Sequence, residues 1–332
     1  HVFLLSVGAF LLAMFLTPIY TFFAYRYRFW KRQRSESTDG KELKIFAKFQ
    51  AAKLRRNIPT MAGIIGVISI FVVTIFFNID RAQTWLPLAA LVGGGIVGII
   101  DDIINLRGLG GGAAGLRSPV KFALITLIGV VLGWFFFAKL GVASFHVPFV
   151  GEVNIGWLIV PLFAFAVVAT GNAVNISDGM DGLAGGLLGI SFGAFGVIAL
   201  LQQHVILAGF CFTVVGVLLS YLWFNIYPAR FFMGDVGSFA YGACLGVVAM
   251  LTDSLLLLPV IGLLFVIEAG SSLTQIVSKK LFKRKIFLSA PIHHHLEAIG
   301  WPETKVTMRF WVIGCVMAFI GVMLALAGGH IA

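Results

Sequence analysis

Asn172, Asn175, Asp178 and Asp181 recur at three-residue steps in the stretch NAVNISDGMDGLAGG, within a chain otherwise dominated by apolar side chains. Four polar groups at the mouth of an apolar segment are costly unless they bind something. Helix caps and Asx turns are the plainer account of the same residues. The glycines at 179, 182, 185 and 186 argue instead for an interrupted helix whose loop bends the carboxylates inward. Irregular backbone at such depth is tolerated where it lines a cavity.

Three further stretches carry groups of the same chemical kind. The apolar run Ile99-Ile100 ends in the pair Asp101-Asp102, where mutual repulsion and the negative helix end both disfavour joint ionisation. A bound cation, or a proton in transit, would relieve that repulsion, whereas two solvated acids would need no partner. In FFMGDVGS, Asp235 either caps the following helix or stands on a tight turn as a Mg²⁺ ligand, with Phe232 as a flat surface for a base. In PIHHHLE, residues His293, His294 and His295 cannot all face one tetrahedral ion from a regular helix, so donation to phosphate or sugar fits better than zinc. Pro59 suits the first turn of a helix, and Thr60 beside it offers a hydroxyl and free N–H groups to an anion. Lys121 and Arg117 read as phosphate contacts or as interface anchors. Glu268, deep in an apolar run, requires a partner that the sequence does not reveal.

The elements that hold these groups are membrane helices. Of 332 residues, 59% are hydrophobic and 11% charged, which excludes an ordinary soluble domain. Apolar segments long enough to cross a bilayer fall near 2–25, 59–77, 86–104, 119–138, 157–174, 183–201, 205–224, 238–252, 256–278 and 306–329. The fold class is therefore all-α, a polytopic membrane protein of about ten transmembrane helices with a cytoplasm-facing cleft and a short external hairpin between Lys139 and Gly156. Residues 1–332 are read as one membrane domain, with a basic loop at 26–58 and a histidine-bearing loop at 279–305. An extracytoplasmic N-terminus puts all but Arg81 and Lys139 of the 24 Lys and Arg residues on the cytoplasmic side. The same topology brings every polar-rich connection to that side. The net charge of +10 then marks contact with anionic lipid, and nucleic acid is not expected as a partner. Cys211, Cys244 and Cys315 lie in apolar runs without metal-like spacing and read as small buried hydrophobes. The chain opens on His1, which suggests numbering that starts inside a longer chain, and the first apolar run reads as a span rather than a cleaved leader.

Taken together, carboxylates, basic residues and imidazoles around a cytoplasmic cleft suit a polyphosphate held with a divalent cation, and the bilayer suggests a lipid as the other reactant. In order along the chain, PTMAG, IIDD, NAVNISDGMDGLAGG, FFMGDVGS and PIHHHLE closely resemble the bacterial phospho-N-acetylmuramoyl-pentapeptide transferases, within the polyprenyl-phosphate sugar-1-phosphate transferase superfamily. That resemblance implies transfer of phospho-MurNAc-pentapeptide from UDP-MurNAc-pentapeptide to undecaprenyl phosphate, giving lipid I and UMP with Mg²⁺, in the bacterial inner membrane. It implies that Asp235 ligates the metal and that Asp101 or Asp102 deprotonates or positions the lipid phosphate. It places Asn172, Asn175, Asp178, Asp181 and Thr60 along the nucleotide-sugar site, Phe232 on uracil, Lys121 on phosphate, and the histidines on the sugar or phosphate side. Arg55 stands where the family usually has a lysine, keeping the charge in a different donor geometry, and Asn105 replaces another lysine. A GlcNAc-1-phosphate transferase is the nearest alternative, but its histidine pattern would be interrupted. A transporter would spread its acids through the spans. The sequence does not decide whether the chain works alone or as a homodimer.

Overall fold

A computed structural model of the chain describes residues 1–30, 57–108 and 115–329. In chain order the helices are α1 (Val2–Arg26), α2 (Gly63–Phe77), α3 (Trp85–Arg107) and α4 (Ser118–Leu140). A hairpin of β1 (Ser144–Val147) and β2 (Gly151–Asn154) follows, paired antiparallel with Phe145 opposite Val153. Then come α5 (Ile159–Ser177), α6 (Leu183–Leu201), α7 (Val205–Asn225), α8 (Gly234–Leu251), α9 (Leu258–Ile261), α10 (Leu263–Phe282), α11 (Ile292–Ala298) and α12 (Glu303–Ala327).

Eight of these helices are long and apolar enough to cross a membrane, and a ninth crossing results if α9 and α10 form one bent span. The chain is thus an all-α polytopic membrane protein. Every segment expected to span is helical, but α2, with 15 residues, is shorter than the eight, and two runs depart from the expected form. The run 256–278 is no continuous rod: it turns through 81° where α9 meets α10, because Gly262 interrupts the helix there. The run beginning at Pro59 becomes helical only at Gly63, since the backbone of 59–62 is engaged elsewhere. Phe232 N donates to Pro59 O, Ala62 N donates to Phe232 O, and Thr60 N donates to Phe29 O. Pro59 is therefore an extended residue bridged to Trp30 and no helix-starting proline.

Helix α8 occupies the centre, and every residue from Gly234 to Met250 is buried. Its sequence, GDVGSFAYGACLGVVAML, is rich in small residues, and small residues let helix backbones approach closely where lipid supplies no hydrophobic drive. Helices α3 and α5 pack along it. At Gly98 of α3, a Cβ would sit 2.2 Å from the carbonyl oxygen of Asp235, so only glycine permits this crossing. The outer helices α1, α4 and α12 turn large apolar side chains outward, among them Phe3, Phe122 and Phe319, as a lipid-facing surface requires. Cys211 and Cys244 are buried as expected, whereas Cys315 is exposed on the outer face of α12.

The side-chain contacts sort the connections into two ends. Asp101, Lys121, Asn175, Asp181, Asn225 and Asp235 meet at one end. The hairpin, the turn after α8 and the end of α12 meet at the other.

Candidate active site

Asp101 and Asp102 lie in the last two turns of α3, which runs on to Arg107 and stops at Gly108 in a left-handed conformation. The pair is thus inside the helix and not at its terminus. Asp235 is in the first turn of α8. The Gly98 crossing brings these turns together, and ligand oxygens of Asp101, Asp102 and Asp235 all lie within 4.8 Å of one another. All three side chains are buried, Asp102 completely. Lys121 in the first turn of α4 reaches in, with Nζ 3.0 Å from Asp101 Oδ1 and 2.8 Å from Asp235 Oδ2. Backbone groups complete the frame: Leu116 N donates to Asp101 Oδ1 at 2.7 Å, and Val236 N donates to Asp102 Oδ2 at 3.2 Å.

One ammonium set against three buried carboxylates leaves excess negative charge in a place where charge is expensive. An all-oxygen donor set of that kind fits a hard divalent cation such as Mg²⁺. Thr60 adds a second sign of a ligand. Its hydroxyl is buried beside this cluster and has no hydrogen-bond partner among the described residues. The residue's backbone is fixed on both sides, its N–H on Phe29 and its carbonyl accepting from the Tyr20 hydroxyl. The hinge of the arrangement is Gly234, with φ +70°, where a Cβ would lie 2.6 Å from Asp102 Oδ2, 2.7 Å from Thr60 Oγ1 and 2.8 Å from Met61 N.

The Asn/Asp stretch joins this centre through several partners. Helix α5 ends at Ser177, and Asp178 to Gly182 form the break before α6. Asn175 Nδ2 donates to Ser238 Oγ at 2.8 Å, one turn beyond Asp235. Asp178 is half-buried and is an electrostatic neighbour of the Tyr221 hydroxyl, which accepts from Met233 N at 3.0 Å. Asn172 instead donates to Val168 O within its own helix. Asp181 turns away into the protein, where its Oδ2 accepts from Ala229 N at 3.0 Å and its own N–H donates to Glu303 Oε1 at 2.6 Å. Asn225, which sequence reasoning passed over, ties the same break to the loop before Asp235: it accepts from Gly182 N and donates to Phe231 O.

The three histidines take three different partners, so they do not act as one ligand set. His293 is fully buried, with Nδ1 2.7 Å from Glu268 Oε2, and its ring lies against Gly179 of the Asn/Asp break. His293 is therefore the partner that Glu268 requires: both residues stand out in the sequence, but their pairing does not. His294 pairs with Glu297 at 2.7 Å, and His295 accepts from Leu288 N at 3.3 Å while its ring meets Phe287 edge-on. Arg55 lies outside the described residues. Phe232 is half-buried, its backbone paired to Pro59 and Ala62.

Residues 84–253, which hold both aspartate elements and the Asn/Asp stretch, match the model of glycosyl transferase family 4. A phospho-N-acetylmuramoyl-pentapeptide-transferase of Chloroflexus aggregans is 38% identical, aligning 98% of this chain with 90% of that protein. Its namesake in Geobacillus thermodenitrificans is 36% identical, over 95% of this chain and 94% of that protein. The chain belongs to the phospho-N-acetylmuramoyl-pentapeptide transferase family. A third member, from Levilactobacillus brevis, is 40% identical over 81% of this chain and 84% of its own length. Membership in this transferase family gives the buried acidic cluster a chemical context: phosphoryl transfer needs charge screening more than it needs covalent help from the protein.

Proposed function

We propose that the end of the bundle bearing Asp101, Asp102 and Asp235 is the catalytic centre of a Mg²⁺-dependent enzyme, facing the cytoplasm from the bacterial inner membrane. The chain is a phosphoglycosyl transferase that passes phospho-MurNAc-pentapeptide to a lipid carrier in peptidoglycan synthesis. The proposed donor is UDP-MurNAc-pentapeptide, the acceptor undecaprenyl phosphate, and the products lipid I and UMP. The carrying observation is the convergence of three buried carboxylates from α3 and α8 on one point, bridged by Lys121. The cytoplasmic orientation rests on the distribution of Lys and Arg along the chain.

Asp235, with Asp101 and Asp102 beside it, would hold the Mg²⁺, which when bound screens the negative phosphates and polarises the transferred phosphoryl group. In the reaction an oxygen of the lipid phosphate attacks the sugar-linked phosphorus of the donor. The bond from that phosphorus to the bridging oxygen breaks, and UMP leaves with the electron pair. Direct attack is the economical route, because a phosphate oxygen is already a competent nucleophile once repulsion is screened. Any proton on the lipid phosphate passes to Asp101 or Asp102. Lys121, seated between two carboxylates, trades one of them for a substrate phosphate oxygen. Thr60 supplies its buried hydroxyl to the donor, joined by the charge of Arg55. Phe232 packs on uracil. Asn172, Asn175 and Asp178 line the nucleotide-sugar side, and Asp181 shapes that side by holding the 228–230 loop. His293, His294 and His295 face the sugar or phosphate, with Glu268 fixing the first of them.

The test is a donor competition with purified protein, undecaprenyl phosphate, UDP-MurNAc-pentapeptide and UDP-GlcNAc, alongside Asp235→Ala. The expected result is Mg²⁺-dependent UMP release from the muramoyl donor alone, abolished in a folded Asp235→Ala protein. Preference for UDP-GlcNAc would overturn the donor, and undiminished turnover in the variant would remove Asp235 from the chemistry.

A further inference from the structure

We propose that His146, Glu152 and Asp253 form a second, zinc-class metal site at the end of the bundle opposite the aspartate cluster, where the ion staples the β-hairpin to the turn after α8. The two places are well separated. Asp235 opens α8 and Asp253 lies just past its far end, and 18 residues of helix span about 27 Å.

The three residues each offer a ligand atom, all within 4.8 Å of one another. His146 Nδ1 is 3.6 Å from Glu152 Oε1. Two ligands at zinc distance on a tetrahedral centre stand about 3.3 Å apart, so this edge already has nearly the required spacing. The orientation of the imidazole gives an independent reason to place a cation here. His146 Nε2 is 2.8 Å from the carbonyl oxygen of Gly328, and a carbonyl can only accept. Nε2 therefore carries the hydrogen, and in the neutral ring Nδ1 presents its lone pair towards the carboxylates. A lone pair facing carboxylates is repulsive unless a proton or a metal ion lies between them. An imidazole that donates one N–H to a backbone carbonyl and turns the other nitrogen to carboxylates is the arrangement of metal-bound histidine.

The acids are crowded in the same sense. Asp253 is held beside the ring because the backbone N–H of His146 donates to its Oδ1 at 2.9 Å. One imidazole nitrogen and two carboxylate oxygens, with no thiolate, suit Zn²⁺ and leave a fourth position for water. Mg²⁺ prefers an all-oxygen octahedron and is disfavoured by the imidazole. The site also has a way in, since the Glu152 side chain is 57% exposed. Through His146 and Gly328 the same ion would secure the end of α12, which gives it leverage on segments far apart in sequence.

The experiment uses the full chain in detergent micelles, stripped with EDTA, desalted, and then given zinc chloride. Asp235→Asn serves as the background, so that zinc at the aspartate cluster is not counted. Metal content per chain, the zinc X-ray absorption edge and the unfolding midpoint are measured. Expected are about one zinc per chain with nitrogen and oxygen ligands and an unfolding midpoint raised by zinc, both lost in Glu152→Gln and in Asp253→Asn. Glu152 is exposed, so Glu152→Gln keeps the fold; placed in the otherwise unaltered chain, it should leave UMP release unchanged. Zinc content equal in Glu152→Gln and its parent would overturn the site. So would a midpoint that follows pH but ignores zinc, which would assign the cluster to a shared proton only.

Discussion

Gly234→Ala is a small change with a large expected effect, and its size follows from local geometry. With φ at +70°, an alanine there costs about 1–2 kcal/mol in backbone strain. The added Cβ would also stand 2.6–2.8 Å from Asp102 Oδ2, Thr60 Oγ1 and Met61 N. The two side-chain atoms can rotate away, but Met61 N belongs to a backbone whose neighbours are paired to Phe29, Phe232 and Met233. Overpacking of this kind costs about 1–3 kcal/mol more, making about 2–5 kcal/mol in total. The strain falls on groups around the proposed metal, and a misplacement of about 1 Å lowers turnover about 100-fold. The assay is Mg²⁺-dependent UMP release, with the unfolding midpoint measured in parallel. Gly189→Ala is the control, because a Cβ there meets nothing within 4 Å. Full activity in Gly234→Ala would refute the claim that this turn sets the distance between Thr60, Asp102 and Asp235.

Thr60→Ala and Asp181→Ala should separate ligand binding from framework. Thr60 Oγ1 has no partner among the described residues, so its loss should raise the donor KM about 2- to 12-fold at an unchanged unfolding midpoint. Asp181→Ala strips the acceptor from Ala229 N and should destabilise the protein by about 1–3 kcal/mol, seen as a lower midpoint. Lys121→Met removes the ammonium that competes with a cation for Asp101 and Asp235. Mn²⁺, read by paramagnetic resonance, should bind about tenfold more tightly or better while turnover falls, and weaker binding would contradict the placement. Glu268→Gln keeps the shape of the His293 pair but lets the amide donate as well as accept, so the tautomer is no longer fixed. Turnover should drop about tenfold or more with the metal affinity intact, and a change in metal binding instead would place Glu268 elsewhere in the mechanism.

Much of the site was legible because its chemistry is local. IIDD, MGDVGS and the Asn/Asp stretch each put an acid where an apolar segment gives no other reason for one, and the bilayer makes such residues conspicuous. Span positions were legible for the same reason, since about 20 apolar residues in a row have few alternatives to a transmembrane helix. The bend at Gly262 was not, because hydropathy measures the length of an apolar run and is blind to its direction.

What tertiary structure alone decided is which distant residues meet. Composition and motif order determined a polytopic membrane helix bundle with most of its acids at one end, and they do so because periodicity and burial cost act within a few turns of chain. The pairing of Glu268 with His293, the turning of Asp181 towards Ala229, and the meeting of His146 with Asp253 are contacts between separate helices and loops. They are set by how closely α3 and α5 can approach the small-residue surface of α8 and by where each loop then has room to fold. No local rule contains that information, because it depends on the shape of the neighbour and not on the residue itself.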